Sequence, residues 1–267
     1  MNAKAQTLRD RISAAEWQTR VELAALYRLT ALYGWDDFLA THISARVPGP
    51  EPGPERHFLL NPLGLWFEEV TASSLIKVNL DGSIVDGEYE INYAGFVIHS
   101  AIHAAREDAH FILHFHTDDG VALSSQTEGL LPLNQRSLAI IPRLAYHDYE
   151  GIALNLYERE RLVADLGDKS QLLLRNHGTL ALGSTAAQAW GRMYGLEKAA
   201  TAQIGALSAG RTGVLIAPES AQEEVARQTA PTAAGDDDGR ERRRRFDALA
   251  WDAIRRKVDR HSPGYDQ

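Results

Sequence analysis

Hydrophobic positions along the chain follow two periods, one typical of amphipathic helices and one typical of β-strands. Where apolar residues recur every three to five positions, as Trp17, Val21 and Ala24 do, the pattern predicts a helix. Where apolar and polar residues alternate, the pattern predicts a strand. The helical period covers 13–33, 94–106, 118–125, 157–166 and 185–207. Strand patterns cover 38–48, 57–61, 65–70, 74–80, 111–117, 137–146, 171–175 and 180–182.

The strands before residue 82 are predicted to form an antiparallel meander. A stretch rich in Pro and Gly at 49–54 supplies a first turn, and Pro62-Leu63-Gly64 supplies a second, tighter one. Asp81-Gly82 is a strong hairpin signal because these residues favour the turns that join antiparallel strands. Helical periodicity begins after this block, so a mixed α/β chain is expected.

The character of the chain changes after Gly213, and we divide it into three parts. Residues 1–212 form one predicted domain, 213–239 a predicted linker, and 240–267 a predicted helical tail. The second half of the linker consists largely of Ala, Thr, Pro, Gly and Asp, which bury little apolar surface. The tail carries apolar residues at helical spacing, which predicts a helix docked on the body or on a neighbouring subunit.

Composition and charge are those of a globular protein and exclude several kinds of site. The 267 residues are 44% hydrophobic and 24% charged, with a formal net charge of −8, which argues against a general nucleic-acid partner. The arginine run at 242–245 follows an acidic stretch that offsets it. No cysteine occurs, which excludes disulfides, thiolate zinc sites and a cysteine nucleophile. No apolar run approaches a membrane span and the first residues lack a secretory signal, so we expect no membrane contact and a cytoplasmic location.

The candidate chemistry begins in the predicted strand 111–117, which contains His114 and His116. Residues two apart in a strand point to the same side, so both imidazoles should project from one face and Phe115 from the other. Two neutral imidazoles at that spacing can bind a single transition-metal ion. A catalytic metal usually has three protein ligands and one open position, so a third ligand is expected elsewhere in the chain.

His177 is our candidate for the third ligand. It follows the apolar strand 171–175, and Gly178 should let the backbone turn sharply and leave the imidazole uncovered. Histidine nitrogens suit a borderline metal better than magnesium or calcium, which prefer oxygen; we expect Zn²⁺, with Fe²⁺ or Mn²⁺ as alternatives. The competing interpretation is that these histidines are ordinary polar residues of a strand and a turn.

Several further motifs occur in a fixed order around these histidines. They are Thr41–Arg46, Asn61–Gly64, Asn92–His99, His114-Phe115-His116 and Asn176–Gly178. In these motifs the chain resembles the class II aldolase/adducin family, and more closely its adducin-type branch. The resemblance covers roughly residues 15–210 and leaves both termini outside. The ordered set is specific for the family, and much less specific for one activity.

The resemblance implies both a fold and a chemistry. The implied fold is a three-layer α/β/α sandwich with a central, mainly antiparallel sheet. The implied cofactor is a divalent metal, usually zinc, on His114, His116 and His177. The implied substrate is a small-molecule carbonyl compound, cleaved through a metal-stabilised enolate without a Schiff-base lysine. A homo-oligomer, often a tetramer with sites at subunit interfaces, is also implied.

The chain departs from the sugar-phosphate aldolases of that family at two places. In those enzymes a Ser-Ser-Glu stretch begins the helix before the metal pair; the Glu is the acid/base and the serines help to bind phosphate. The corresponding residues here are Tyr93, Ala94 and Gly95. The Asn of an early Gly-Asn-x-Ser phosphate stretch corresponds to His42. The acid/base carboxylate is therefore absent, and phosphate binding should be poorer.

Other residues could take over parts of these roles. His99 shares a helix face with Gly95, so it could support a ligand or replace the acid/base, and Tyr93 could supply a phenol. A packing role is the competing interpretation for His99, and the catalytic residues otherwise stay unassigned. The candidate substrate contacts are Asn61, Gly64 and Ser44.

Three hypotheses of function follow from this pattern. The first is a metal-dependent class II aldolase-type lyase that cleaves or forms a carbon–carbon bond next to a carbonyl. The second is an Fe(II)-dependent oxygenase or decarboxylase on the same histidines, which would not need the missing Glu. The third is a non-catalytic, adducin-like binding or assembly module. The missing Glu supports the third hypothesis, and the intact histidine triplet weighs against it.

Overall fold

An eight-stranded sheet forms the middle layer of the structure, a computed structural model that describes residues 7–49, 56–152, 156–230 and 236–267. The strands are β1 (His42–Arg46), β2 (His57–Leu60), β3 (Ile76–Asn79), β4 (Ile84–Asp86), β5 (Phe111–Phe115), β6 (Leu144–His147), β7 (Gln171–Leu174) and β8 (Gly178–Gly183). They lie in the order β4-β3-β2-β1-β5-β8-β7-β6. Only the β6–β7 pair is parallel among these strands, so the sheet is mainly antiparallel, as the resemblance implies.

Helices cover both faces of this sheet. The helices of the described residues are α1 (Leu8–Arg11), α2 (Ala14–Tyr33), α3 (Tyr93–Ala105), α4 (Asp118–Ser124), α5 (Gln135–Ile140), α6 (Glu158–Leu166), α7 (Ala186–Leu207), α8 (Glu219–Thr229) and α9 (Asp237–His261). No described helix has an apolar run long enough to cross a bilayer. The predicted meander is confirmed, because β1 to β4 pair in sequence order with antiparallel neighbours.

Alternation along the central strands produces the three layers. Ile43 and Leu113 point to one face, where they are fully buried against α2, α7 and part of α9. Ile112 and Leu180 point to the other face and are buried with Ile102 of α3 and with residues of α6. Because a strand sends successive side chains to opposite sides, a strand that is apolar throughout must be covered on both. The three-layer α/β/α fold is therefore confirmed.

Short polar side chains fix where the helices near the sheet begin. The hydroxyl of Ser13 accepts a hydrogen bond from the backbone N–H of Glu16 at 3.1 Å, which starts α2. The side chains of Asn92 and Thr117 accept in the same way at the starts of α3 and α4. Gly34 ends α2 with a φ of +63°, a left-handed conformation that glycine adopts without strain. These caps place the first turns of α3 and α4 beside the central strands.

Two of the predicted strands are wrong. The pattern at 137–146 predicts a strand, but the segment begins as α5 and a 3-10 turn, and β6 starts only at Leu144. The reason is the Asn134 amide oxygen, which accepts from the N–H groups of Arg136 and Ser137 and starts a helix. Residues 65–70 also form turns, although Phe67 is fully buried in the core.

The C-terminal region packs against the body through α9. Val258 is fully buried, and the backbone N–H of Ala72 donates to the carbonyl of Tyr265 at 2.8 Å. The predicted helix of the 240–267 tail is present as α9, and it begins slightly earlier, at Asp237. The predicted linker at 213–239 contains α8, which the sequence pattern does not indicate. Residues 231–235 of that linker and 50–54 of the predicted turn lie outside the described residues. The three-part division of the chain stays a prediction.

Candidate metal centre

Strand β5 and the start of α4 hold the first pair of histidines. His114 is the fourth residue of β5, and His116 lies directly after the strand, just before the Thr117 cap of α4. Phe115 points to the opposite face and is fully buried in the core there. The two imidazole ring centroids are 4.7 Å apart. The alternation predicted from the sequence therefore brings both rings to one side.

The turn between β7 and β8 brings His177 to the same place. The left-handed residue of this turn is Asn176, with a φ of +54°, and not Gly178 as the sequence suggests. Gly178 is needed for another reason: a Cβ at that position would overlap the carbonyl oxygen of Phe115 on the neighbouring strand. The glycine thus permits the close approach of β5 and β8 that carries His177 towards His114.

The three imidazoles meet through the same ring atom. The Nε2 atom of His114 lies 2.9 Å from Nε2 of His116 and 3.2 Å from Nε2 of His177. One ligand nitrogen from each of these residues lies within 4.8 Å of both others, the spacing of a group that could hold one ion. His114 is fully buried, and the other two rings are partly exposed. The cluster is therefore open on one side, as a catalytic metal site requires.

The hydrogen bonds of the Nδ1 atoms show which ring nitrogens carry a lone pair. Nδ1 of His114 donates to the carbonyl of Thr179 at 2.9 Å, and Nδ1 of His116 donates to the Asp37 carboxylate at 3.1 Å. A neutral imidazole has only one N–H, so Nε2 of each ring is a lone-pair atom. Burial, followed by the neighbouring imidazoles, keeps the pKa of His114 well below its usual value and lowers that of His177 to about 4. Lone pairs that face each other repel, and a cation between them relieves the repulsion, so these donors fit Zn²⁺ or Fe²⁺.

Two acidic residues support the cluster, and the sequence patterns described above do not predict either of them. Asp37 precedes β1 and is half-exposed, so nothing in the hydrophobic pattern marks it. Glu197 lies on the buried side of α7 and accepts hydrogen bonds from the hydroxyls of Thr117 and Thr179. Burial raises the pKa of the Glu197 carboxyl. A glutamate on the apolar face of a helix is the sequence signal that could have revealed it.

A chain of buried polar side chains lies beside the cluster. Nδ1 of His42 and Nε2 of His99 are 2.9 Å apart, and Nδ1 of His99 contacts the hydroxyl of Ser44. That hydroxyl is 2.7 Å from Nε2 of His103, whose Nδ1 is 3.0 Å from the carbonyl oxygen of Ala109. The His42 ring lies 5.0 Å from the ring of His114. His99 is therefore connected to the candidate metal ligands through His42.

The lack of a carboxylate side chain at position 95 and the presence of His42 are related, because the two side chains would compete for the same space. A Cβ placed on Gly95 would lie 2.5 Å from Cδ2 and 3.0 Å from Nε2 of His42. Real Cβ atoms do not approach ring atoms so closely, and the His42 ring is itself held by His99. The ring of His42 thus occupies the space that any side chain at position 95 would enter.

The other predicted site residues lie in different surroundings. Tyr93 is 47% exposed at the first turn of α3, so its phenol is accessible. Asn61 is buried, and its amide oxygen accepts from the hydroxyl of Tyr27 at 3.0 Å. Ser44 is fully buried within the histidine chain, whereas Gly64 is an exposed turn residue with a φ of +101°. The structure therefore brings the three proposed ligands together and leaves Asn61 and Ser44 bonded to other protein groups.

The buried His103 should make stability depend on pH. Burial is the main cause that lowers its pKa from 6.5 to about 3. The unfolded chain binds a proton near pH 6.5 and the folded chain does not until about pH 3, so stability is full above pH 6.5 and falls as the pH falls. We expect His103→Asn to reduce the pH slope of the unfolding free energy by about 1.4 kcal/mol per pH unit around pH 5, measured by urea denaturation. His110→Asn, at an exposed position, should leave the slope unchanged; equal slopes in wild type and His103→Asn would contradict the prediction.

The sequence matches a known protein family. Residues 21–204 match the family described as Class II Aldolase and Adducin N-terminal domain. A Caulobacter vibrioides protein whose name assigns it provisionally to aldolase class 2 is 58% identical over 97% of this chain and 96% of its own length. Alpha-adducin of Rattus norvegicus is 39% identical over 90% of this chain, and this chain spans 33% of that protein.

Solved structures give the same relationship. An aldolase II superfamily protein from Pseudomonas syringae superposes with a TM-score of 0.88 at 50% identity, over 98% of this chain and 100% of the other. An L-fuculose 1-phosphate aldolase from Glaciozyma antarctica superposes with a TM-score of 0.75 at 27% identity, over 99% and 97% of the two chains. Both superpositions extend over almost the whole chain.

Proposed function

This chain belongs to the class II aldolase and adducin family, and we propose that it is a metal-dependent lyase that acts next to the carbonyl of a small molecule. An aldolase-type function is what the family and its structural relatives support. The reaction, the metal and the residues below are our proposal. The proposed type of reaction follows from the family, and the proposed roles of the residues follow from the geometry around His114.

The observation that carries the proposal is the convergence of three Nε2 atoms from separate parts of the chain. His114, His116 and His177 would be the protein ligands of a divalent cation. Two of these rings already have Nδ1 committed as a donor, which leaves Nε2 free to bind. Partial exposure of His116 and His177 leaves room for a substrate.

The surrounding residues hold the ligands in their orientation. The Thr179 carbonyl and the Asp37 carboxylate fix the ring orientations of His114 and His116, as partners of metal-binding histidines commonly do. Glu197 accepts from Thr117 and Thr179, which lie beside the ligands on two different segments. One carboxylate on α7 thereby ties together the two segments that carry the ligands.

A bound divalent cation would supply Lewis-acid chemistry, polarising the carbonyl oxygen of the substrate. The protein would orient that carbonyl and move a proton, and no carboxylate occupies position 95 for the second task. Of the two acid/base candidates from the sequence, Tyr93 is accessible and His99 is sealed behind His42. Tyr93 is therefore the better candidate to exchange a proton with a substrate.

Zn²⁺ is the cation we propose, with Fe²⁺ and Mn²⁺ as the alternatives. We also propose a cytoplasmic homotetramer with sites near subunit boundaries. Tyr149 is 53% exposed, and its ring lies 6.3 Å from that of His177. Apolar exposure so near the site supports a second subunit there. Light scattering on the purified protein tests the assembly, and a monomer would contradict it.

Zinc-loaded protein is expected to turn over a hydroxy-ketone or a β-keto acid in a screen of aldol cleavage and decarboxylation. The matched variant is His116→Ala, which should abolish turnover, and His110→Ala at an exposed position should retain it. Inactivity of folded, zinc-replete protein on both substrate classes would contradict the lyase proposal. Oxygen uptake with iron and not with zinc would support the Fe(II) hypothesis instead.

A non-catalytic, adducin-like binding module is the second candidate. The 39% identity to alpha-adducin over 90% of this chain supports it, and so does the lack of a carboxylate at Gly95. In that case the fold would serve assembly, and His116→Ala would leave the oligomeric state and partner binding unchanged while the protein has no lyase activity. Turnover that depends on His116 would exclude this candidate.

The Asp37 carboxylate should contribute to metal affinity through His116. Asp37→Asn keeps the shape of the side chain but removes the negative charge of the group that accepts the hydrogen bond from Nδ1 of His116. Loss of such a partner commonly costs 10- to 100-fold in metal affinity, so we expect roughly a tenfold to hundredfold weaker zinc binding. Chelator competition measures it. Asp36→Asn next in sequence is the control, and equal affinities of the two variants would contradict the role of Asp37.

A further inference from the structure

The chain of buried side chains from His103 to His42 has no part in the proposed metal binding. His99, His103 and Ser44 are between 0% and 1% exposed, and His42 is 2% exposed. They lie on the sheet face covered by α3, and His42 is the Cα partner of His114 across β1 and β5. Burying so many polar groups is costly unless each has a partner, so the direction of every hydrogen bond is constrained.

The direction of these hydrogen bonds is set at His103, the member of the series farthest from the candidate metal ligands. The carbonyl of Ala109 can only accept, so Nδ1 of His103 must donate to it. Burial lowers the pKa of His103 to about 3, so the ring is neutral at neutral pH and its Nε2 has no proton. That Nε2 must accept from the Ser44 hydroxyl, which lies 2.7 Å away.

The same reasoning fixes the donor and the acceptor of each further hydrogen bond, from Ser44 to His42. Ser44 has one hydroxyl proton, which it gives to His103, so it must accept from Nδ1 of His99. The neutral His99 ring then has a lone pair on Nε2, and it accepts from Nδ1 of His42 at 2.9 Å. Nε2 of His42 is left without a proton. No described residue forms a hydrogen bond with that atom.

The ring of His42 lies beside the candidate site. Its Cδ2 and Nε2 atoms border the space above Gly95, and its ring lies 5.0 Å from that of His114. At the same time Ser44 has no hydroxyl proton left for a ligand, because His103 receives it. This side of the site therefore offers an acceptor, and the Ser44 hydroxyl cannot donate to a phosphate group.

We propose that the His103–Ser44–His99 chain makes Nε2 of His42 a fixed hydrogen-bond acceptor for a substrate hydroxyl, which selects an unphosphorylated hydroxy-carbonyl compound over its phosphate ester. This specificity rests on the proposed function of the histidine cluster. A phosphate ester is an anion near pH 7 with little proton to donate, so its oxygens meet a lone pair instead of an N–H. A hydroxyl can donate to the same atom. His42 is thus a specificity-determining residue, and Ser44, His99 and His103 position its proton.

The first test reads the protons directly and does not depend on activity. Nitrogen NMR of the protein labelled with ¹⁵N-histidine should show protonated Nδ1 and unprotonated Nε2 in His42, His99 and His103. Ser44→Ala should remove the fixed polarity and give His42 a mixture of both tautomers. Ser44→Thr keeps the hydroxyl and should restore the wild-type pattern. A protonated Nε2 on His42 in the wild type would overturn the inference.

The second test uses dihydroxyacetone and its phosphate ester as probes of the zinc-loaded protein, by titration calorimetry. We expect dihydroxyacetone to bind at least tenfold more tightly than the phosphate, and His42→Asn, which offers an amide donor, to reduce or reverse that preference. Tighter binding of the phosphate by the wild type, or binding of neither probe, overturns the specificity. Failure to bind zinc would instead overturn the proposed function, and the NMR result would still decide the proton arrangement.

Discussion

Replacing His114 with alanine is expected to weaken zinc binding by about a thousandfold. Its Nε2 atom contacts the corresponding atoms of both His116 and His177, so it is the central residue of the proposed ligand set. Structural zinc sites bind with about 10–16 kcal/mol, so one ligand of three accounts for about 4 kcal/mol, or three powers of ten. Chelator competition with the purified variant measures the change.

A matched control separates ligand loss from general damage. His110→Ala makes the same chemical change at an exposed position and should bind zinc as the wild type does. Since His114 is fully buried, His177→Ala provides a second variant at a partly exposed turn, with a similar expected loss. Wild-type zinc affinity in both folded variants would contradict the assignment of the ligands.

Replacing Gly95 with alanine is expected to destabilise the protein by about 3 kcal/mol. The new Cβ would lie 2.5 Å from Cδ2 of His42, and that ring cannot move without breaking its hydrogen bond to His99. Overpacking of this kind costs typically 1–3 kcal/mol, and a lost buried hydrogen bond adds to it. The free energy of unfolding in urea measures the loss.

Removing the His42 ring should reverse much of the loss of stability that Gly95→Ala causes. In the double variant His42→Ala with Gly95→Ala, the second substitution should cost about 2 kcal/mol less than it does alone, because the ring it would strike is gone. Gly191→Ala is the control, since a Cβ there meets nothing within 4 Å inside α7 and should be neutral or stabilising by up to about 1 kcal/mol. Additive effects of the two substitutions at 42 and 95 would contradict the packing argument.

The sequence predicts well how His114 and His116 are placed, because their arrangement is a local property of a strand. Alternation alone places His114 and His116 on one side of β5, and the structure has their rings 4.7 Å apart. His177 is predicted as the third ligand from its place after an apolar strand. The reason given for its exposure is wrong, because Asn176 takes the left-handed conformation while Gly178 allows two strands to approach.

The supporting residues could not be predicted from local patterns. Asp37 reaches His116 from a loop 79 positions away in the sequence, and Glu197 reaches Thr117 from 80 positions away. The exclusion between His42 and Gly95 depends on the packing of β1 against α3, which no periodicity reveals. The sequence pattern does not predict the helix at Gln135–Ile140, because its apolar residues fit a strand equally well and the capping by Asn134 outweighs that preference.

The central claim is that three imidazoles bind one cation that solvent can reach, and zinc X-ray absorption on the purified protein tests it most directly. We predict about three imidazole nitrogens at roughly 2.0–2.1 Å with one oxygen ligand completing the site, and one imidazole fewer in His177→Ala. A zinc spectrum without imidazole scattering, or one that His177→Ala leaves unchanged, would contradict it.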